Sequence, residues 1–200
     1  MKRTFSILLI CTLVCYNLTV LAQRSEPYIY GEMGGGFGTH GTGKLVMNMI
    51  FEGNNIVSVG YYTSSRRWSG TPPDYEVGFL SSYPRQIINM IGISYGKVFF
   101  TGTHGARWVI KGGLAMGEVK TPTDFEPFRS LLGPNYTYNY TIDITPGLII
   151  NPAIELPVGR GFGFSFGAYA NINVISPVVG LDASLIFGRV SDRRTRSGKK

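Results

Sequence analysis

Residues 161–174, GFGFSFGAYANINV, alternate strictly between apolar and small or polar side chains. Phenylalanine, alanine, isoleucine and valine occupy the even positions, and glycine, serine, tyrosine and asparagine occupy the odd ones. Successive side chains point to opposite sides of a β-strand, so this stretch would have one apolar face and one small, polar face. The pattern predicts a strand that separates two environments of different chemistry.

Seven further segments show the same period of two. They lie near residues 28–37, 44–52, 57–62, 91–96, 107–117, 135–148 and 180–188. Most are near the 9–11 residues that a tilted strand needs to cross a bilayer. A period of 3.6 residues is not evident after residue 22, so the sequence predicts an all-β fold.

The polar faces distinguish a soluble barrel from a membrane barrel. They carry mostly glycine, serine, threonine and asparagine, and residues 161–181 contain no charged side chain. Charged residues make up 16% of the chain, against roughly 25% in ordinary soluble domains. Small residues suit the inside of a narrow closed barrel, and long apolar ones suit lipid. We therefore predict an eight-stranded antiparallel up-and-down transmembrane β-barrel, with a soluble lipocalin-like barrel or sandwich as the alternative.

The two ends of the chain differ from its body. A basic pair and an apolar run to Leu21 precede small residues at a cleavage-like site after Ala22, which predicts a signal peptide over residues 1–22. A permanent membrane helix and lipoprotein processing at Cys15 are the alternatives. Residues 23–190 are expected to form the barrel and residues 191–200 a basic tail. An even number of strands places both termini in the periplasm.

Most of the net charge of +7 comes from these ends. Of the nineteen basic residues, two precede residue 5 and five lie in the tail, which leaves twelve against eleven acidic residues between positions 23 and 190. The body is therefore near balance, and we expect no nucleic-acid surface.

A glycine-rich stretch, GFGTHGTGKL at residues 36–45, matches two phosphate-loop patterns. Leu45 stands where such a loop requires serine or threonine, and an alternating strand follows instead of a helix. The glycines suit a tight external turn, so we predict no nucleotide and no cofactor.

Isolated charges of both signs lie on the polar faces of the predicted strands. We expect them to form ion pairs in the lumen, with pore lining as the alternative. They are Glu32, Lys44, Glu52, Arg107, Lys111, Asp143 and Asp182.

Two histidines bear on catalysis and metal binding. His40, in the first external turn, would form a rim triad of a lipid A hydrolase if it met Ser64 or Ser65 and an acid such as Asp74 or Glu76. We favour a solvated turn residue instead. His104 falls at the opposite end, so no metal site is expected.

The signal peptide and the glycine–aromatic strands together resemble small eight-stranded outer-membrane barrels of the OmpX/OmpA type, particularly those of Bacteroidetes. The ending SDRRTRSGKK departs from the usual closing aromatic residue. The resemblance covers nearly all of the mature chain and implies a location in the outer membrane, in contact with its lipid.

This resemblance favours a non-catalytic envelope component that is structural or binds another protein through external loops 66–85 and 119–134. The first loop has the tryptophan, tyrosine and arginine content of a contact surface. The contact candidates are Arg66, Arg67, Trp68, Tyr75 and Phe79. A subunit of a secretion, assembly or transport complex and a rim-active lipid A hydrolase are the alternatives.

Overall fold

The structure, a computed structural model, describes residues 27–51, 54–79, 82–101, 106–128 and 133–190. The predicted signal peptide, the basic tail, Glu52 and His104 lie outside the described residues.

Eight strands account for most of the described chain. They are β1 (Tyr28–Gly38), β2 (Gly41–Phe51), β3 (Asn55–Arg67), β4 (Arg85–Phe100), β5 (Arg107–Pro127), β6 (Tyr136–Pro157), β7 (Phe162–Asn173) and β8 (Val178–Gly188). Each strand pairs antiparallel with the next, and β8 closes the barrel by pairing with β1. The predicted all-β, up-and-down barrel is confirmed. No helix in the described part of the chain is long and apolar enough to cross a membrane.

The alternation places an apolar side chain at most outward positions, while other apolar residues, among them Ile56, Met90 and Val109, are buried in two clusters in the interior. Phe166 in β7 and Leu181 in β8 are 51% and 58% exposed, whereas Ser165 and Asn171 in β7 are buried. A soluble barrel would reverse this arrangement, with its apolar side chains packed around the axis. The outer surface is therefore suited to hydrocarbon.

The strand register determines the shape of the barrel. Following register partners around the barrel from Tyr28 returns to β1 at Gly38, ten residues further along. A shear of ten residues over eight strands tilts the strands by roughly 40° from the axis. A barrel of this size has an interior that its own side chains fill.

The strands are longer than the alternation predicts, most of all in β5 and β6. The expected connection at 119–134 is wrong over most of its length, since β5 continues to Pro127 and β6 begins at Tyr136. A register shift between Thr123 and Glu126, with Asp124 at a positive φ of 53°, disturbs the alternation there. The connection after β3 begins only after Arg67.

Candidate functional site

A buried ion pair lies in the lower lumen, by which we mean the end where β1 begins and β8 ends. Arg107 at the start of β5 approaches Glu155 of β6 with its Nη2 2.6 Å and its Nε 2.7 Å from Oε2. The Tyr30 hydroxyl donates to the same carboxylate at 2.9 Å, and Arg107 Nη1 donates to the carbonyl of Val190 at 2.9 Å. All these side chains face the interior, where a carboxylate needs a positive partner.

A second cluster fills the middle of the lumen. Lys44 of β2 forms ion pairs with Glu32 of β1, at 2.7 Å, and with Asp182 of β8. Lys111 of β5 reaches Glu32 from across the barrel, with its Nζ 3.3 Å from Oε2, and donates to Asn48 at 3.1 Å. The cluster therefore joins four strands, two of them on opposite walls.

The lumen charges balance. The two clusters contain the cations Lys44, Lys111 and Arg107 and the carboxylates Glu32, Asp182 and Glu155, all buried. Above them Tyr62 stacks on Tyr169 with ring centroids 5.4 Å apart. Charges paired across the lumen and covered by stacked rings hold the walls together, which is a structural arrangement.

The sequence-predicted lumen charges do not all join these clusters. Glu32, Lys44, Arg107, Lys111 and Asp182 do, as the salt bridges above show. Asp143 is exposed on the upper part of β6 and forms no salt bridge within the described residues. Sequence reasoning missed Glu155, although it continues the inward alternation of Ala153 in β6.

His40 lies at the mouth of the barrel formed by the β1–β2 turn, and the expectation that it is solvated is wrong. It is 2% exposed, with its Nε2 3.3 Å from Ser176 Oγ and its Nδ1 3.0 Å from Thr39 Oγ1. Burial and the charge of Arg66 lower the pKa of His40, against a hydrogen bond to Gln86 that raises it. The imidazole is therefore neutral at pH 7.

The hydrogen bonds of His40 do not form a hydrolytic triad. The Ser176 hydroxyl donates to Gln86 Oε1 at 2.9 Å, so His40 Nε2 acts as a donor to Ser176 and does not take its proton. No hydrogen bond joins His40 to Ser64 or Ser65 within the described residues, and the Asp74 carboxylate accepts from Tyr136 instead. This geometry does not activate a nucleophile.

The predicted contact residues of the β3–β4 connection have different environments. Phe79 is 89% exposed, Trp68 is half-buried, and the Arg67 guanidinium lies 3.2 Å from the ring centroid of Tyr83. Tyr75 is buried and stacks on Tyr136 at 6.1 Å, and burial raises the pKa of its hydroxyl. Tyr75 thus attaches the connection to β6 and is not available to a partner.

The upper part of β6 forms a free edge. Strand β7 pairs with β6 only from Gly147 to Pro157, so residues 136–146 have β5 on one side alone. These residues extend about 33 Å along the strand at the usual rise per residue. We call β6 residues 136–146, together with the β5 residues 116–127 that pair with them, the projecting hairpin. Ile142 and Ile144 on it are 55% and 79% exposed.

The β3–β4 connection supports the tip of the projecting hairpin. The Glu76 amide donates to Asn135 Oδ1 at 2.8 Å, and Asn135 Nδ2 donates to the carbonyl of Asp74 at 2.7 Å. Phe125 lies 5.6 Å from Tyr138, measured between ring centroids. The hairpin is therefore held by packing as well as by its own ladder.

The described residues contain no group of three histidine, cysteine or acidic side chains that would hold a metal ion.

Comparison with known proteins identifies the fold but no family. No protein-family model matches the chain, and no curated protein matches it significantly. The N-terminal β-barrel domain of Pseudomonas aeruginosa OprF superposes with a TM-score of 0.51 at 11% identity, over 80% of this chain and 95% of that one. It shows that the chain has the fold of a small outer-membrane barrel.

Two structures of Ail from Yersinia pestis are also similar. The complex with the heparin analogue sucrose octasulfate has a TM-score of 0.47 at 12% identity, over 81% of this chain and 96% of that one. The structure in a phospholipid bilayer nanodisc has a TM-score of 0.46 at 12% identity, over 81% and 99%.

Proposed function

We propose that this chain is a non-catalytic outer-membrane protein, with both termini in the periplasm, that binds a protein partner through its projecting hairpin. The lumen supports only the first half of this proposal. The charges in the lumen are paired with one another and covered by the stacked rings of Tyr62 and Tyr169, so they stabilise the barrel. An origin among Bacteroidetes stays a prediction from the sequence.

The observation that carries the proposal is the unpaired edge of β6 between residues 136 and 146. An edge strand offers free N–H and C=O groups to another strand, and proteins usually protect such edges with charge or proline. Here Ile142 and Ile144 lie opposite Lys120 and Glu118 on β5, and both isoleucines are exposed. The edge strand itself carries one charge, Asp143, and one proline, Pro146. A partner strand would cover both the hydrogen-bonding groups and these isoleucines.

The location is tested by separating membranes and comparing migration of heated and unheated protein on a gel. We expect the protein in the outer-membrane fraction, with a faster-migrating unheated form. Recovery in the soluble periplasm would contradict the proposal.

The edge is tested with a photoreactive amino acid at position 144 in intact cells. We expect a reproducible cross-link to one protein, and its loss when Ile142→Lys is added, since a charge on the edge opposes strand addition. The matched control carries the photoreactive group at Met47, which is similarly exposed on the β2 outer face. Equal cross-linking from both positions, or no effect of Ile142→Lys, would count against the edge.

The same edge suits a subunit of a secretion, assembly or transport complex, in which the cross-linked protein would copurify in stoichiometric amount. The lipid A hydrolase alternative has no support in the geometry of His40 and Ser176 described above.

A further inference from the structure

The outer faces of β3 and β4 change chemistry in three steps towards the external end. Val59 on β3 and Ile91 and Ile93 on β4 are exposed apolar residues. Thr63 and Asn89 come next and are hydrogen-bonded to each other at 2.9 Å. Ser65 and then Arg67 follow on β3, and the partly buried Ile87 and then Arg85 follow on β4. Apart from Ile87, the order is therefore apolar, neutral polar and cationic.

The last step places two cations side by side. Arg67 and Arg85 are register partners on β3 and β4, and both are exposed. Gln86 next to Arg85 is buried in the lumen, so alternation directs Arg85 to the outer face. Like charges directly opposite each other on neighbouring strands are unfavourable. The pair therefore favours an anion that both can bind.

The described residues do not provide that anion. No carboxylate of the described residues forms a salt bridge with Arg67 or Arg85, and the segments 80–81 and 129–132 contain no acidic residue. Glu118, an outward carboxylate on the neighbouring strand β5, is occupied by Lys120 at 2.9 Å and by Asn89 at 3.1 Å.

Both arginines are positioned by neighbours that leave donors free. The Arg67 guanidinium stacks over Tyr83, which leaves its edge open to an acceptor. Arg85 Nη1 lies 3.5 Å from Ser65 Oγ, and this hydroxyl lies between the arginine pair and the neutral polar pair Thr63 and Asn89. Planar guanidinium groups bind phosphate through two parallel hydrogen bonds.

We propose that Arg67, Arg85 and Ser65 bind the phosphate of an outer-leaflet lipid whose acyl chains lie along Ile91 and Val59. An amphiphile in a bilayer has acyl chains, then ester and hydroxyl groups, then its phosphate, in the order of the three steps. A free phosphate would contact the arginines alone and would not explain the polar and apolar steps below them. The inference rests on the outer-membrane location but not on the protein partner.

Native mass spectrometry of the refolded mature barrel in detergent micelles tests the site. The probes are diphosphorylated hexa-acyl lipid A, the same lipid without its phosphates, and inorganic phosphate. We expect the phosphorylated lipid to bind about tenfold more tightly than the phosphate-free one, the size of one or two charge-assisted hydrogen bonds. This comparison uses the wild-type protein alone.

The double variant Arg67→Gln/Arg85→Gln should bind the phosphorylated lipid about tenfold more weakly. Arg160→Gln, which removes an exposed charge between β6 and β7 at the opposite end, should bind like wild type. Heat-modifiable migration verifies that each variant is folded. Equal binding of the two lipids, or equal loss in Arg160→Gln, would overturn the proposal.

Displacement of the lipid by millimolar inorganic phosphate would show an anion site without lipid specificity and would also overturn it. A failure of the outer-membrane location would appear in cell fractionation and not in this experiment, so the two proposals fail separately.

Discussion

The Arg107–Glu155 pair should be strongly coupled, because neither side chain can find water if its partner is removed. Their side chains are 2% and 1% exposed, and the guanidinium makes two contacts of 2.6 and 2.7 Å to one carboxylate oxygen. Removing one partner of a buried ion pair costs about 3–5 kcal/mol, since a charge is left buried without compensation. We expect a loss of this size for Arg107→Met, and again for Glu155→Gln.

The double variant Arg107→Met/Glu155→Gln should recover most of the lost free energy of unfolding. It leaves no unpaired charge, and the amide oxygen still accepts from the Tyr30 hydroxyl. We expect it to lie within about 2 kcal/mol of wild type, as replacements of whole buried pairs often do. The coupling energy between the two sites would then be several kcal/mol.

Urea unfolding of the barrel in lipid vesicles, followed by tryptophan fluorescence and by heat-modifiable migration, measures these free energies. Trp108 follows Arg107 in β5 and serves as a reporter. Lys120→Gln, which breaks the exposed pair with Glu118, is the control and should change stability little. Single variants as stable as this control, or additive losses in the double variant, would refute the reasoning.

Three further outcomes follow from the structure. The folded-state pKa of His40 lies below its usual value, so the unfolded chain binds the proton more readily than the folded one. The contribution of His40 to stability should therefore be full above about pH 6.5 and should fall as the pH drops below that value. His40→Gln should flatten this part of the pH profile of urea unfolding. Gly34→Val should prevent or strongly weaken barrel closure, since a Cβ there meets the carbonyl oxygen of Ala183 in β8, whereas Gly161→Ala, with no atom within 4 Å, should give normal heat-modifiable protein. Tyr75→Ala should release the β3–β4 connection from Tyr136 and Phe125 and speed trypsin cleavage there at least severalfold; an unchanged cleavage rate would show that the ring contacts do not hold it.

The sequence pattern indicated which charges point inward but not which of them meet. Glu32, Lys44 and Lys111 are single charges on otherwise small, polar faces, and a closed barrel leaves such charges no partner except one another. Their pairing partners were not predictable, because the register and the shear decide which charges meet. Glu155 stood in phase with the inward residues of β6, but the nearby proline residues made that end resemble a turn.

The surroundings of His40 and Tyr75 also depended on the tertiary structure. His40 in a glycine-rich turn has the sequence surroundings of a solvated residue, and only the return of the chain at Ser176, 136 positions later, buries it. The local sequence predicts that Tyr75 is an exposed contact residue, but in the structure it stacks on Tyr136. Such contacts join segments that are distant in the sequence, and a local sequence pattern does not predict them.

The sequence by itself determined the strands, their two faces and the closed barrel, because a period of two is a local property and an unsatisfied sheet edge is costly in hydrocarbon. Only the tertiary structure decided that β5 and β6 continue beyond β7 and leave an edge free, and that Arg67 lies opposite Arg85. These features depend on register and relative strand length, which are set by the packing of the whole barrel.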